Sequence, residues 1–233
     1  MTENRMIELT AARAAMYRFL GGLYLMEVDR EQLALLKALT FPEVTGDSDA
    51  DRDLREGYAL LREEIGRITE EDLDDLAADY AKVFLAAGDA AGRAAFPYES
   101  VYVDKRRRVG GSTQMQMRAL YLERGLTPDP DAYRTMEDHI GLMLEYQADI
   151  CGELAAAIEA GDGAKAEEIR SEQKDFLKQH LTNWAFSFAA DVIRYAERDF
   201  YKGAAKITSG FLKKEAELLE EPMQKGADAW DIG

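Results

Sequence analysis

The sequence predicts an all-α fold. Apolar residues recur at i, i+3, i+4 and i+7 through most of the 233 residues, the spacing that lines one face of a helix. Only "ESVYVD", residues 99–104, alternates, and one short strand without a partner is not stable. Clusters of Gly, Pro and Asp cut the periodic runs into pieces of helix length.

The first piece is "RMIELTAARAAMYRFLGGLYLMEV", where Leu9, Ala12, Met16, Leu20 and Leu23 share a face. "REQLALLKAL" is a short second helix. "DADRDLREGYALLREEIGRI" is a third, and its opening acidic residues suit the positive end of the helix dipole. "TEEDLDDLAADYAKVFLAA" follows, with Thr69 as N-cap three residues before Asp72. Its stripe of Leu73, Leu76, Tyr80, Val83 and Phe84 is either core or ligand-facing.

The period is lost in "GDAAGRAAFPYESVYVDKRRRVGG", which holds Gly88, Gly92, Pro97, Gly110 and Gly111 and reads as an ordered loop. "STQMQMRALYLERG" returns to helix, capped by Ser112 or Thr113 and stopped by Gly125. "LTPDPDAYRT", with two prolines and two aspartates, has the composition of a hinge. It divides the chain into an N-terminal helical lobe, residues 1–126, a hinge, 127–136, and a C-terminal helical lobe, 137–233. "MEDHIGLMLEYQADICGELAAAIEA" is then a long helix stopped by "GDG". "AKAEEIRSEQKDFLKQHLTNWAFSFAADVIRYAER" is longer and bends near Leu181–Asn183. "DFYKGAAKITSGFLKKEAELLEE" ends the fold, closed by Pro222.

Composition narrows the function. A net charge of −16 disfavours a broad nucleic-acid surface, which needs Lys and Arg to neutralise phosphates. An acidic body favours cationic partners, basic peptides included, although solubility alone also explains it. One cysteine, Cys151, excludes an intrachain disulfide and suits a reducing compartment. With no apolar run of about 18 residues and no signal-peptide layout, the expectation is a cytoplasmic protein without a membrane span.

The chain offers little for catalysis or metal binding. His139, His180 and Cys151 are its whole soft-ligand inventory, too few for a zinc site. A di-iron bundle needs Glu three residues before each His, where this chain has Met136 and Leu177. "RRRVGGST" lacks phosphate-loop spacing, so Lys105–Arg108 reads as a solvated or ion-pairing turn. Cys151 lies twelve residues from His139, about 18 Å along one helix, and reads as a core residue. Thr135 and Asp138 match a capping box, and adjacent helical residues such as Asp138 and His139 diverge by about 100°, which makes a relay between them poor. No catalytic residue, metal or cofactor is expected.

"EDHIGLMLEYQA" resembles the acidic/Pro-Asp-His-Ile/Leu-Gly/Ala motif of the TorD/DmsD/NarJ-like redox-enzyme maturation chaperones. "DYAKVFLAA" with "FPYESVYVD", and "FLKQHLTNWAFSFAADVIRYAERDFYKGAAKI" with its His-Leu-x-x-Trp, resemble two further segments of that family, in family order across residues 10–215. The resemblance implies a two-lobed helical bundle of the TorD-like type. It implies a cytoplasmic chaperone, not an enzyme, that binds the twin-arginine signal peptide and apo form of a molybdenum or tungsten oxidoreductase catalytic subunit. Export would be delayed until the cofactor is inserted. It further implies a monomer or a homodimer domain-swapped through the hinge.

Carried over residue by residue, the peptide site would comprise Tyr80, Val83, Phe84, Pro97, Tyr98, Ser100, Gly110, Asp138 and His139. Tyr80 and Tyr98 stand where many relatives carry Trp, and Met136–Glu137 replaces the usual lead-in. Physically, Tyr80, Val83, Phe84 and Tyr98 suit helix-in-groove recognition, and Asp138 with the net charge would steer the arginines. For Val83 and Phe84 plain packing competes with this role, and for Met115, Met117 and Met143 core filling is the simpler reading. The competing functions are a nucleotide-binding hydrolase using Lys105–Arg108 with Asp138–His139, and a helical scaffold or regulator without signal-peptide binding.

Overall fold

Residues 2–88, 93–127 and 135–221 are described by the computed structural model, and among them there are ten helices and no strand. These are α1 (Glu3–Leu25), α2 (Arg30–Ala38), α3 (Asp49–Arg67), α4 (Leu73–Phe84), α5 (Glu99–Val103), α6 (Ser112–Glu123), α7 (Ile140–Glu159), α8 (Gly163–Phe176), α9 (Ala185–Tyr195) and α10 (Asp199–Glu220). The fold class is all-α, as the periodicity predicts.

Two compact units are interleaved along the chain. The first takes the described residues up to Leu25, Tyr98–Trp184 and those from Lys214 on; the second takes Met26–Pro97 and Ala185–Lys213. These cuts do not coincide with the expected lobes, since α6 and α7, on either side of residues 127–136, belong to one unit. Most of that expected hinge, residues 128–134, lies outside the described residues, as does Pro222.

In the first unit α1 lies along α7. A Cβ on Gly141 would stand 2.9 Å from the Gly21 carbonyl and 2.5 Å from Leu25 Cγ, so the two backbones approach as only glycine permits. In the same unit the guanidinium of Arg13 forks onto Glu215, with both N···O distances 2.8 Å and both side chains buried. Tyr17 donates to the same carboxylate at 2.6 Å, and Arg13 also donates to Gln173 at 3.2 Å. Burial opposes the charge on Arg13, but Glu215 reverses that and holds its pKa above the ordinary value. Gln173 in turn donates to Cys151 Sγ at 3.1 Å, and burial pushes that thiol's pKa up. Cys151 is the unreactive core residue its position implies.

The second unit is centred on aromatic packing. Phe84 meets Tyr80 and Tyr201 edge-on, with centroids 5.0 and 5.4 Å away, and Phe188 at 6.1 Å. A Cβ on Gly57 would fall 2.7 Å from Ile207 and 2.9 Å from the Gly203 carbonyl, so α3 and α10 cross at close range. Asp79 of α4 accepts the N–H groups of Glu197 and Arg198 at 3.0 and 2.8 Å, which caps the approach to α10 from another helix.

Local signals place most helix ends. Thr69 and Asp72 form the expected capping contact, the Thr69 N–H donating to Asp72 at 2.8 Å. Gly125 terminates α6 with φ +68°. The helix after α8 breaks where expected, with a π-helical turn over Leu177–Leu181 and a restart at Ala185. Three expectations differ. "ESVYV" is helix α5 rather than loop. The N-cap of α6 is Gly111, at φ +100°, rather than Ser112 or Thr113. The helix expected to start from Thr135 begins at Ile140, with His139 as its cap.

Replacing Arg13 by Met leaves Glu215 buried and unpaired, and is expected to cost about 3–5 kcal/mol in urea unfolding. The double variant Arg13→Met/Glu215→Leu is expected to recover most of that loss, because neither charge of this pair is left buried alone.

Candidate functional site

The first unit gathers five of the nine residues implied by the resemblance. Tyr98 and His139 form an isolated antiparallel bridge, and the Glu99 N–H donates to the Asp138 carbonyl at 3.0 Å. The Asp138 side chain then accepts the Ser100 N–H at 3.0 Å and the Thr113 hydroxyl at 3.4 Å, both through Oδ2. Ser100 Oγ accepts the Gly110 N–H at 2.9 Å. One carboxylate thereby holds the start of α5, the loop ending at Gly110 and the start of α6.

This explains why α5 exists. Five residues are too few to hold a helix alone, and its first N–H groups need acceptors. Asp138 supplies them from 38 residues away. Its other oxygen, Oδ1, is buried and has no partner among the described residues. An unsatisfied buried carboxylate oxygen is costly and rare in a packed protein.

His139 is buried, and its Nδ1 accepts the Gly141 N–H at 3.0 Å, capping α7. A ring whose Nδ1 accepts carries its proton on Nε2 when neutral. Burial lowers its pKa from 6.5 to about 3, so the ring is neutral at physiological pH. The ring of Tyr98 meets it edge-on at 5.2 Å, and the Tyr98 hydroxyl pairs with Thr135 Oγ1 at 2.9 Å. Neither member of the pair is therefore available for proton transfer: His139 is committed as a cap and Asp138 as an anchor. The expected Thr135 capping box is replaced by these long-range bonds.

Tyr80, Val83, Phe84 and Pro97 belong to the second unit. Tyr80, Val83 and Phe84 retain 6%, 0% and 1% exposure, so the packing alternative describes them in this structure. Met117 and Met143 are likewise core, whereas Met115 is exposed. Among the nine, only Tyr98 and Gly110 keep partial exposure. Met136 is exposed, and its sulfur lies 3.5 Å from where a Gly110 Cβ would be, with exposed Val109 next in sequence.

Sequence reasoning missed a second cluster bound to α5. Glu99 is 2% exposed, and its carboxylate accepts from His180 Nδ1 at 3.1 Å and Asn183 Nδ2 at 3.2 Å. The Trp184 indole donates to the His180 carbonyl at 2.6 Å and stacks on Tyr102, centroids 5.4 Å apart. The "PYES" and His-Leu-x-x-Trp segments were both visible as motifs. Nothing in their spacing says that 81 residues of chain bring them together. Arg107, at φ +49°, sits 5.7 Å over the Tyr102 ring, while Lys105, Arg106 and Arg108 are exposed.

The profile of the family described as nitrate reductase delta subunit matches residues 47–190. The chaperone protein TorD of Shewanella pealeana is 25% identical over 218 residues, covering 91% of both chains. The chaperone protein TorD of Vibrio cholerae is 26% identical over 219 residues, covering 93% of this chain and 96% of its own. That of Shewanella loihica is 28% identical over 224 residues, covering 89% and 93%.

Two outcomes are expected, one in each unit. The unfolded chain takes up a proton at His139 near pH 6.5 and the folded chain only near pH 3, so stability falls as pH drops through that window. Between pH 7 and pH 5 the native protein should lose about 2 kcal/mol more than His139→Asn, read from urea midpoints. Phe84→Ala should cost about 3–5 kcal/mol in the same assay, as a core deletion.

Proposed function

The chain belongs to the nitrate reductase delta subunit family, and on that premise we propose that this redox-enzyme maturation chaperone binds a twin-arginine signal peptide. The peptide would belong to the catalytic subunit of a molybdenum or tungsten oxidoreductase. Holding it, together with the apo subunit, in the cytoplasm delays export until the cofactor is in place. The observation that carries this reading is similarity along about nine-tenths of the chain to proteins named as chaperones rather than enzymes. No helix among the described residues is long and apolar enough to cross a membrane.

The first unit supports a peptide platform. Tyr98 offers a half-exposed aromatic face, and Gly110, Val109 and Met136 offer a small apolar surface. A signal peptide's apolar segment would rest there, anchored chiefly by the aromatic ring. Ser100, Asp138 and His139 would act by holding that surface in shape. Asp138 is completely buried, so attraction for the two arginines falls to the net charge of −16 rather than to this carboxylate. Tyr80, Val83, Phe84 and Pro97 would contribute as packed core, since a peptide could touch the first three only by displacing them. Exchange of segments between two copies through residues 127–136 would give the dimeric form.

Titration calorimetry with a synthetic twin-arginine peptide is expected to show micromolar binding that weakens as salt screens the acidic surface. Tyr98→Ala should weaken it about tenfold or more, while the urea midpoint falls only by the modest loss of the Thr135 and His139 contacts. Absence of heat at millimolar peptide would overturn the reading.

A further inference from the structure

Four departures from ordinary packing meet at α5. The carboxylate of Glu99 is buried at its first residue. The chain that supplies its partners, His180 and Asn183, runs through and just past a π-helical turn instead of continuing as α-helix. Asp138, which holds the neighbouring Ser100 N–H, leaves Oδ1 without a partner among the described residues. Beyond the last residue of α5, Arg107 adopts a left-handed backbone. Each is unfavourable for stability alone: a buried ionic group rarely repays its desolvation, and π turns occur mostly where function keeps them. A fold selected only for stability would fill this region with apolar side chains.

Resting on the function proposed above, we propose that Glu99, with His180 and Asn183, is the positioning set of the peptide platform. Glu99 touches no client. It holds α5 against the π turn, while Asp138 holds it against the cap of α7. Between these two anchors the chain has one way to present Tyr98 and to bring Gly110 onto Ser100. Tyr102, three residues on from Glu99 and on the same face of this short helix, stacks on Trp184 of the segment that carries His180 and Asn183. With Glu99 truncated, α5 keeps Asp138 and the Tyr102–Trp184 stack but loses the side-chain tie at its first residue, and a helix of five residues frays from that end.

Three variants, Glu99→Ala, His180→Ala and Glu99→Gln, separate this from a purely structural role. Peptide affinity is measured by calorimetry, global stability by urea, and local opening by amide exchange over residues 98–110. Glu99→Ala and His180→Ala should each bind the twin-arginine peptide about tenfold more weakly. Their urea midpoints should fall only modestly, His180→Ala more than Glu99→Ala because it leaves the buried carboxylate with one partner, and exchange should rise most in residues 98–110. Glu99→Gln, which keeps an acceptor for Asn183 and a polar group for His180, should restore affinity to within about threefold of the native protein. Native-like binding by Glu99→Ala overturns the proposal. So does a global loss of stability that Glu99→Gln fails to rescue. If the native protein itself binds no peptide, the chaperone reading fails and amide exchange decides the positioning role. Faster exchange concentrated in residues 98–110 in Glu99→Ala then supports it, and unchanged exchange overturns it.

Discussion

The first unit depends on the buried fork between Arg13 and Glu215. That unit is assembled from three stretches of chain far apart in sequence, and this contact joins the first to the last across 202 residues. Two charges taken out of water demand each other, and the Tyr17 and Gln173 hydrogen bonds complete their coordination. Any slip of α1 against the end of α10 would strand a charge in the core. Arg170 of α8 adds a second tie, donating to the carbonyls of Leu218 and Glu221 that end α10. With α1, α8 and α10 registered in this way, α7 has one place to lie, against Gly21 on one helix and Gln173 on another.

The position of α7 sets the chemistry of its N-terminus. Because α7 is packed, its first N–H groups open into a buried region, and His139 must cap them as a neutral ring. Asp138, one residue earlier, turns the other way and anchors α5. Two residues that look like a catalytic pair in one dimension thus serve two different helices. Their adjacency in sequence is what allows one turn of backbone to couple those helices.

The aromatic residues of α4 are packed too tightly to be offered to a ligand, whereas Tyr98 and the Val109–Gly110 turn with Met136 are accessible. Specificity for a cationic, partly apolar peptide would combine a small apolar surface with the diffuse field of an acidic protein. Such a field steers partners over distances of about a Debye length without a dedicated salt bridge.

Sequence by itself determined the helices and most of their ends, because helix formation is written in local spacing and local caps. Thr69 with Asp72, Gly125 and the break after α8 are each legible within a few residues. It also carried the family, since "EDHIGLMLEYQA", "FPYESVYVD" and "HLTNW" stand in a recognisable order. Tertiary structure alone decided what those motifs do. α5 is helical because Asp138 lends it acceptors across 38 residues, and Glu99 is tied to the segment after α8 because His180 reaches it across 81. Phe84 is core because Tyr201 and Phe188 close over a stripe that could equally have faced a ligand. The interleaved units follow the same logic, since contacts between distant segments gather each of them. A hydrogen bond between distant residues leaves no trace in the spacing of either one.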